Sequence, residues 1–249
     1  MYWDAVTTKE FREKILGRID TAILPLGSVE AHGQHCPLGT DNIVPWHLAQ
    51  ALEHRYSERL LVLPAIPYGH TWELANFAGT ISVAAEAFSR YVAAVANATL
   101  PWGVHNLILL NGHGGNIPSL SGVMEDIAEH GGRAVLINWW RDYSRDILAI
   151  TQEQGHAGED ETSVMLALAS PLVKMADASF NPYRPKYNVK ALGLHDKNLR
   201  HATTGDGRGA TREKGEKVLE IVTERIGKLL EDLWADNLYS RTDEKGGES

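Results

Sequence analysis

Short apolar runs alternate along this chain with longer stretches in which apolar residues recur every three or four positions. TAILPLGS (21–28) is a brief apolar run closed by Gly27 and Ser28, and it predicts a buried strand. LLVLPAIPYG (60–69) predicts a second strand, stopped by its prolines and glycine. NLILLNGHGGN (106–116) runs from a third strand into a glycine-rich turn, and RAVLINWW (133–140) predicts a fourth. The intervening segments read as helices. One begins at about Pro45, with Leu48, Leu52 and Tyr56 on one face. Others cover 86–103, 117–132 with glycine at its end, and the short apolar 161–169. A long one covers 211–234, with Val218, Ile221, Val222, Ile226, Leu229, Leu230 and Leu233 on its apolar face.

Strands alternating with helices imply an α/β fold of three layers, a mostly parallel sheet with helices on both faces. We expect one domain over 1–240 and a frayed polar tail, RTDEKGGES, over 241–249. Sheets of this kind bind ligands beyond the carboxyl ends of their strands. The residues with chemical potential fall there. Glu30 and His32 follow the first strand, His70 the second and His113 the third, while Trp139 and Trp140 end the fourth.

Composition narrows the function classes. The chain has 249 residues and a formal net charge of −8, with no strongly basic stretch, so a nucleic-acid partner is not expected. Cys36 is the single cysteine, which rules out an intramolecular disulfide and suits a reducing cytoplasm. It stands beside the candidate cluster, as a ligand, a nucleophile or a packed small hydrophobe. No apolar run approaches the roughly 20 residues of a membrane span, and the N-terminus has no signal-like core. A cytoplasmic protein without membrane partners is the expectation.

Three segments carry the chemistry. GSVEAHGQHCPLGTD (27–41) supplies Glu30, His32, His35 and Asp41. Its oxygen and nitrogen donors suit zinc, manganese or iron. Asp41 stands just before a helix and is read either as a helix cap or as a bridge between two cations. In Asn111-Gly112-His113-Gly114-Gly115-Asn116, glycines give a histidine unusual access, and their amides can face developing negative charge. The alternatives are a tight turn with an incidental histidine, or a phosphate loop, against which the missing P-loop lysine speaks. HAGEDETS (156–163) opens a helix with three acids that its dipole partly explains. The dipole says less about His156 and Glu161. His156 can act as acid or base, and Glu161 can bind metal or hold the attacking water.

Taken together and in this order, GSVEAHGQHCPLGTD, NGHGGN and HAGEDETSVML resemble the creatininase (creatinine amidohydrolase) family, and the likeness extends from about residue 20 to the final helix. The resemblance implies an α/β metallohydrolase, often a hexamer, with one or two divalent metal ions (Zn, Mn or Fe). It implies Glu30, His32, Asp41 and His113 as ligands, with Asp41 as the bridge, His32 and His113 on one metal and Glu30 on the other. It implies His156 as the catalytic histidine and Glu161 as the acid that follows it. Creatininase carries a glutamate ligand where this chain has Gly115, which puts creatinine in doubt as substrate and leaves Glu161 as a replacement. In YGHTWELANFAGTIS the family's usual Glu-His pair and Pro-Gly-Thr turn read Glu73-Leu74 and Ala78-Gly79-Thr80; His70 would compensate or line the substrate pocket.

A divalent cation lowers the pKa of bound water from about 15.7 toward 7. The expected reaction is therefore attack of metal-bound hydroxide on the carbonyl of a small cyclic amide or formamide, with His156 protonating the leaving group. Substrate contacts are expected from Gly114, Gly115, Trp139, Trp140 and His70. Family members also trim the mycofactocin peptide or open an oxidised inositol ring by carbon–carbon cleavage. The ring-opening activity is the alternative reaction, and a catalytically silent metal-binding subunit the alternative of another class. Residues 177–215 form a long, turn-rich segment, basic through Arg184, Lys186, Lys190, Lys197, Arg200 and Arg208. An arm to a neighbouring subunit of a homo-oligomer is the preferred reading over a substrate lid.

Overall fold

The computed structural model describes residues 1–183, 186–187, 189–191 and 198–240. Arg184, Lys197 and the tail 241–249 lie outside the described residues. Four strands, β1 (Thr21–Leu26), β2 (Leu60–Val62), β3 (Asn106–Asn111) and β4 (Arg133–Asn138), form one sheet in the order β2-β1-β3-β4. Every pairing is parallel, as expected of strands linked by helical crossovers. The main helices are α1 (Thr40–Arg55), α2 (Ala85–Asn97), α3 (Ile117–Glu129), α4 (Glu159–Ala169) and α5 (Arg212–Trp234).

The two-residue period of the strands sorts their side chains into two cores. Ile23, Ile108 and Leu110 face α1, α4 and α5, where Leu48, Val164, Val222 and Leu230 are fully buried. Ala22, Leu24, Leu107 and Leu109 face the other way, against Phe88 and Val92 of α2 and Leu120 and Ile127 of α3. Helices therefore cover both faces, and the expected three-layer α/β fold is observed. Among the described residues no helix is long and apolar enough to cross a membrane.

Three boundaries differ from the sequence pattern, each for a local reason. β2 stops at Val62, ahead of Pro64, and only an isolated bridge from Leu26 to Ile66 extends the pairing. α1 begins at Thr40 and contains Pro45, so the turn before the proline already belongs to the helix. Asp41 is then the second helical residue, and the cap position belongs to Gly39, not Asp41. Trp139 and Trp140 do not end β4; they open a short helix, Trp139–Asp142.

Leu26, Asn111 and Asn138 end neighbouring strands in register. The chain leaving β3 must pass beneath the first turn of α1. Gly112 makes this possible: a Cβ there would stand 2.1 Å from the Asp41 carbonyl oxygen and 2.9 Å from Pro45 Cγ. Pro45 has no N–H to offer that carbonyl, so nothing in the helix draws it aside. Gly112→Ala should therefore push the first turn of α1 off the sheet and cost about 1–3 kcal/mol, as overpacking does. Urea unfolding of the variant would check it; an unchanged midpoint would mean that the turn gives way freely.

Candidate metal centre

The site is built from the carboxyl ends of β1 and β3 and the first turns of α1 and α4. After β1 the chain folds into a pinned loop. The Glu30 amide donates to the Leu38 carbonyl (3.0 Å), the Ala31 amide to Thr80 Oγ1 (3.0 Å) and the Gly33 amide to the Ala202 carbonyl (2.8 Å). Glu30, His32, Asp41, His113 and Glu161 are all buried.

Their donor atoms gather into overlapping sets. Glu30, Asp41 and His113 form one trio, and His32, Asp41 and Glu161 a second, with the atoms of each set within 4.8 Å of one another. Asp41 belongs to both. Its Oδ1 lies 2.9 Å from His32 Nε2 and its Oδ2 3.0 Å from His113 Nδ1. His113 Nδ1 is 3.1 Å from Glu30 Oε1, and His32 Nε2 is 3.7 Å from Glu161 Oε2. This grouping differs from the one the resemblance implies: His113 stands with Glu30, and His32 with Glu161. A third set, Glu30, His32 and His156, lies beside them.

These approaches are close, yet His32 Nε2 and Asp41 Oδ2 make no hydrogen bond and are buried. Orphaned lone pairs in such a place are costly unless another group takes them up. The outer nitrogens of the two rings are occupied. His32 Nδ1 donates to the Glu30 carbonyl (3.1 Å) and His113 Nε2 to the His70 carbonyl (3.0 Å). A carbonyl only accepts, so each outer nitrogen carries the hydrogen and each inner one presents a lone pair. Metal-binding histidines are oriented this way. The residues fit divalent cations.

Without a cation, protons occupy the same lone pairs. Burial opposes charge on His32, but the Asp41 carboxylate, then Glu161 and Glu30, outweigh it and hold the ring up at about 10. His113 is held well above its ordinary value in the same way, burial opposing and Glu30 and Asp41 prevailing. Asp41 is driven far below the usual carboxylate range, against burial, by the two rings. Burial pushes Glu161 and Asp160 up, and Asp160 adds to the effect on Glu161.

Three buried asparagines aim His113. Asn111 Nδ2 donates to the His113 carbonyl (2.7 Å) and to Asn138 Oδ1 (2.9 Å), and Asn111 Oδ1 accepts from the His113 amide (3.2 Å). Asn116 Oδ1 accepts from the His70 amide (3.0 Å), and its Nδ2 donates to the Gly27 carbonyl (3.1 Å). Asn116 thus holds His70 from its amide side, while the next peptide, whose carbonyl orients the His113 ring, is held by the Thr71 amide donating to Ser82 Oγ (3.1 Å). Sequence reasoning gave these asparagines no role. Their one signal was position: Asn111 and Asn138 end strands, where buried polar side chains need partners.

Gly115 is more than a missing ligand. A Cβ there would meet the His70 carbonyl at 2.1 Å and His113 Nε2 at 2.4 Å, the two atoms whose bond orients His113. A glutamate cannot occupy this backbone position, and Glu161 stands where a third donor is wanted. Glu161 Oε2 accepts from the Ala157 amide (2.7 Å), on a residue in left-handed conformation at φ 52°.

A cavity of about 410 Å³ opens above the cluster. Glu30, His113 and His156 line it, with His70, Gly114, Gly115 and Trp140. His156 Nε2 donates to the Ala31 carbonyl (2.8 Å), which leaves Nδ1 as its lone-pair atom, 3.7 Å from Glu30 Oε1. Burial, then the charge on His32, pushes His156 down to about 4. Trp139 is a correction: it was expected at the pocket but is 2% exposed in the α1/α4/α5 core, because the turn into the short helix sends only Trp140 to the cavity. His35 Nε2 pairs with Thr162 Oγ1 (2.8 Å), supporting the start of α4 rather than a ligand. Cys36 also contacts Thr162 Oγ1, at 3.7 Å, and belongs to none of the donor sets; burial, the main influence, pushes its thiol up to about 12.

Comparison with known proteins fits this architecture. The family model described as creatininase, creatinine amidohydrolase, matches residues 4–230. A mycofactocin precursor peptide peptidase of Mycobacterium ulcerans is 35% identical over 162 residues, 62% of this chain and 60% of that protein, so the match spans under two thirds of the relative. A 3-dehydro-scyllo-inosose hydrolase of Thermotoga maritima is 32% identical over 263 residues, covering 94% of this chain and 83% of its own. The creatinine amidohydrolase of Pseudomonas putida is 26% identical over 252 residues, 91% and 95% of the two chains. A crystal structure of creatinine amidohydrolase superposes with a TM-score of 0.81 at 25% identity, covering 93% of this chain and 97% of that one. With its fold, its ordered motifs and a family match over nearly its whole length, this chain belongs to the creatininase family.

Proposed function

We propose that this protein is a metal-dependent hydrolase that cleaves the carbon–nitrogen bond of an amide. The observation that carries the reading is the pair of donor trios sharing Asp41, which reach through Glu30 and His113 a cavity that His156 also lines. Glu30, Asp41 and His113 would hold one cation, and His32, Asp41 and Glu161 the other. The donor set suits zinc, manganese or iron. When bound, such ions supply an activated water and polarise the substrate carbonyl.

The chain's own residues do the rest. Asp41 keeps the two trios together through its two oxygens. The Ala31 carbonyl holds the hydrogen of His156 on Nε2, so Nδ1 is the atom that takes up a proton and returns it to the leaving nitrogen. An amine anion is a very poor leaving group, so that delivery decides whether an amide bond breaks. The amides around Gly114 and Gly115 would face negative charge developing on the carbonyl oxygen. Trp140 and His70 shape the space above. Two of the relatives named above, a peptidase and an amidohydrolase, support amide cleavage. A second reading, hydrolytic opening of an oxidised inositol ring, is favoured by the 94% span of the Thermotoga maritima match on this chain.

Elemental analysis tests the core of this reading. We expect about two metal equivalents per chain in the wild type and loss of both sites in Asp41→Asn; no metal under any reconstitution would sink it. Turnover on cyclic amides, short peptides and inositol-derived ketones then separates the two reactions.

Metal uptake should also release protons, because His32 near pKa 10 carries one at pH 7 that the cation must displace. The apparent affinity should rise as pH rises toward 10 and fall in acid. Calorimetric titration in two buffers of different ionisation heat checks this, and equal heats in both would refute it. His156→Gln should lower turnover by about 10²–10⁴-fold with metal content unchanged; a loss of metal instead would make His156 a ligand.

A further inference from the structure

A second cavity, of about 610 Å³, lies beside the metal cavity. The two share a thin wall. Ala31, Leu74, Leu199 and Ala202 form one buried apolar cluster; Leu74 and Leu199 line the metal cavity, and Ala31 and Ala202 the second. Along the chain the change of cavity takes a single residue, from Glu30 to Ala31.

The charge of the second cavity is one-sided among the described residues. Gln34, Tyr183, Arg200 and His201 supply hydrogen-bond donors, and no described carboxylate lines it. Neither Arg200 nor His201 forms an ion pair with a described residue. Phe77 and Ala78 add apolar surface. In a chain of net charge −8, a recess with an arginine on its rim and no acid among its described lining residues is a local reversal of sign. The backbone that presents Arg200 and His201 is strained. His201 and Ala202 both adopt left-handed conformation, at φ 56° and 53°. They are held there by the Ala202 amide donating to the Leu199 carbonyl (2.7 Å) and by the Gly33 amide donating to the Ala202 carbonyl (2.8 Å). Non-glycine residues seldom adopt this geometry, and it persists where surrounding contacts enforce it. Here the enforcing contact comes from the loop that carries His32.

We propose that this cavity is an anion subsite, which takes a carboxylate on an apolar arm of the substrate, with Arg200 as its specificity-determining cation. A planar guanidinium matches the two oxygens of a carboxylate, and the aromatic wall accepts the carbon frame behind it. That the arm belongs to the substrate rests on the hydrolase reading; the anion site itself needs no metal.

The probe is 3-phenylpropanoate, titrated by calorimetry into metal-free and metal-loaded wild type, Asp41→Asn and Arg200→Gln. We expect one site per chain in both wild-type forms and in Asp41→Asn. Affinity should fall at least about tenfold in Arg200→Gln, as for a lost charge-assisted bond, with circular dichroism and metal content unchanged. The neutral 3-phenylpropanamide should bind comparably weakly to wild type. Unchanged affinity in Arg200→Gln, or no binding to wild type at millimolar probe, overturns the proposal. So does binding confined to metal-loaded protein and lost in Asp41→Asn, which would put the carboxylate on the cations. Probe binding without turnover on any amide would defeat the amide-cleavage reading and leave the subsite standing.

Discussion

The molecule is organised around one carboxylate, Asp41, buried in the first turn of a helix between two imidazole rings. Burial alone would neutralise such a group. His32 and His113 instead hold it ionised from opposite sides, one on each oxygen. Two histidines from different strand ends can reach the same carboxylate only if that helix starts directly above the sheet. Gly112 clears the necessary space, and Pro45 leaves the Asp41 carbonyl without a helical partner at the point of contact.

The rings are aimed from behind. Each spends one nitrogen on a backbone carbonyl, and the peptides carrying those carbonyls are themselves fixed, the one after Glu30 by the Ala31 amide on Thr80 Oγ1 and the one after His70 by the Thr71 amide on Ser82 Oγ. This arrangement accounts for the glycine at position 115. A side chain there would collide with the bond that orients His113, so the oxygen donor comes from α4 as Glu161. Loss of a carboxylate at one strand end and use of another from a helix start are two aspects of one packing solution. It also explains the left-handed Ala157, whose amide turns back to hold Glu161.

Around this centre the same loop serves two cavities. The segment 30–33 gives Glu30 and His32 to the cluster, the Ala31 carbonyl to His156, and the Gly33 amide to the strained turn at His201 and Ala202. Reactive groups and the basic rim beyond them are therefore coupled through a few backbone hydrogen bonds.

The sequence by itself determined the layers and the donors. The short apolar runs TAILPL and NLILLN, and the three- and four-residue spacing in 211–234, follow from strand and helix geometry and require no partner to be read. Glu30, His32 and His113 were legible as residue types beyond strand ends and Asp41, His156 and Glu161 at helix starts, and the order of their motifs carried the family resemblance. Only the tertiary structure decided which donors stand together, because pairing depends on where separate strand ends meet in space. It set His113 with Glu30 and His32 with Glu161, sent Trp139 to the core and Trp140 to the cavity, and made Asn116 a support for His113. It also moved Asp41 inside its helix, since a proline at the sixth position hides the first turn from any reading by periodicity. Local pattern reports what a segment can bury; contacts between distant segments are set by packing, which no window of the sequence contains.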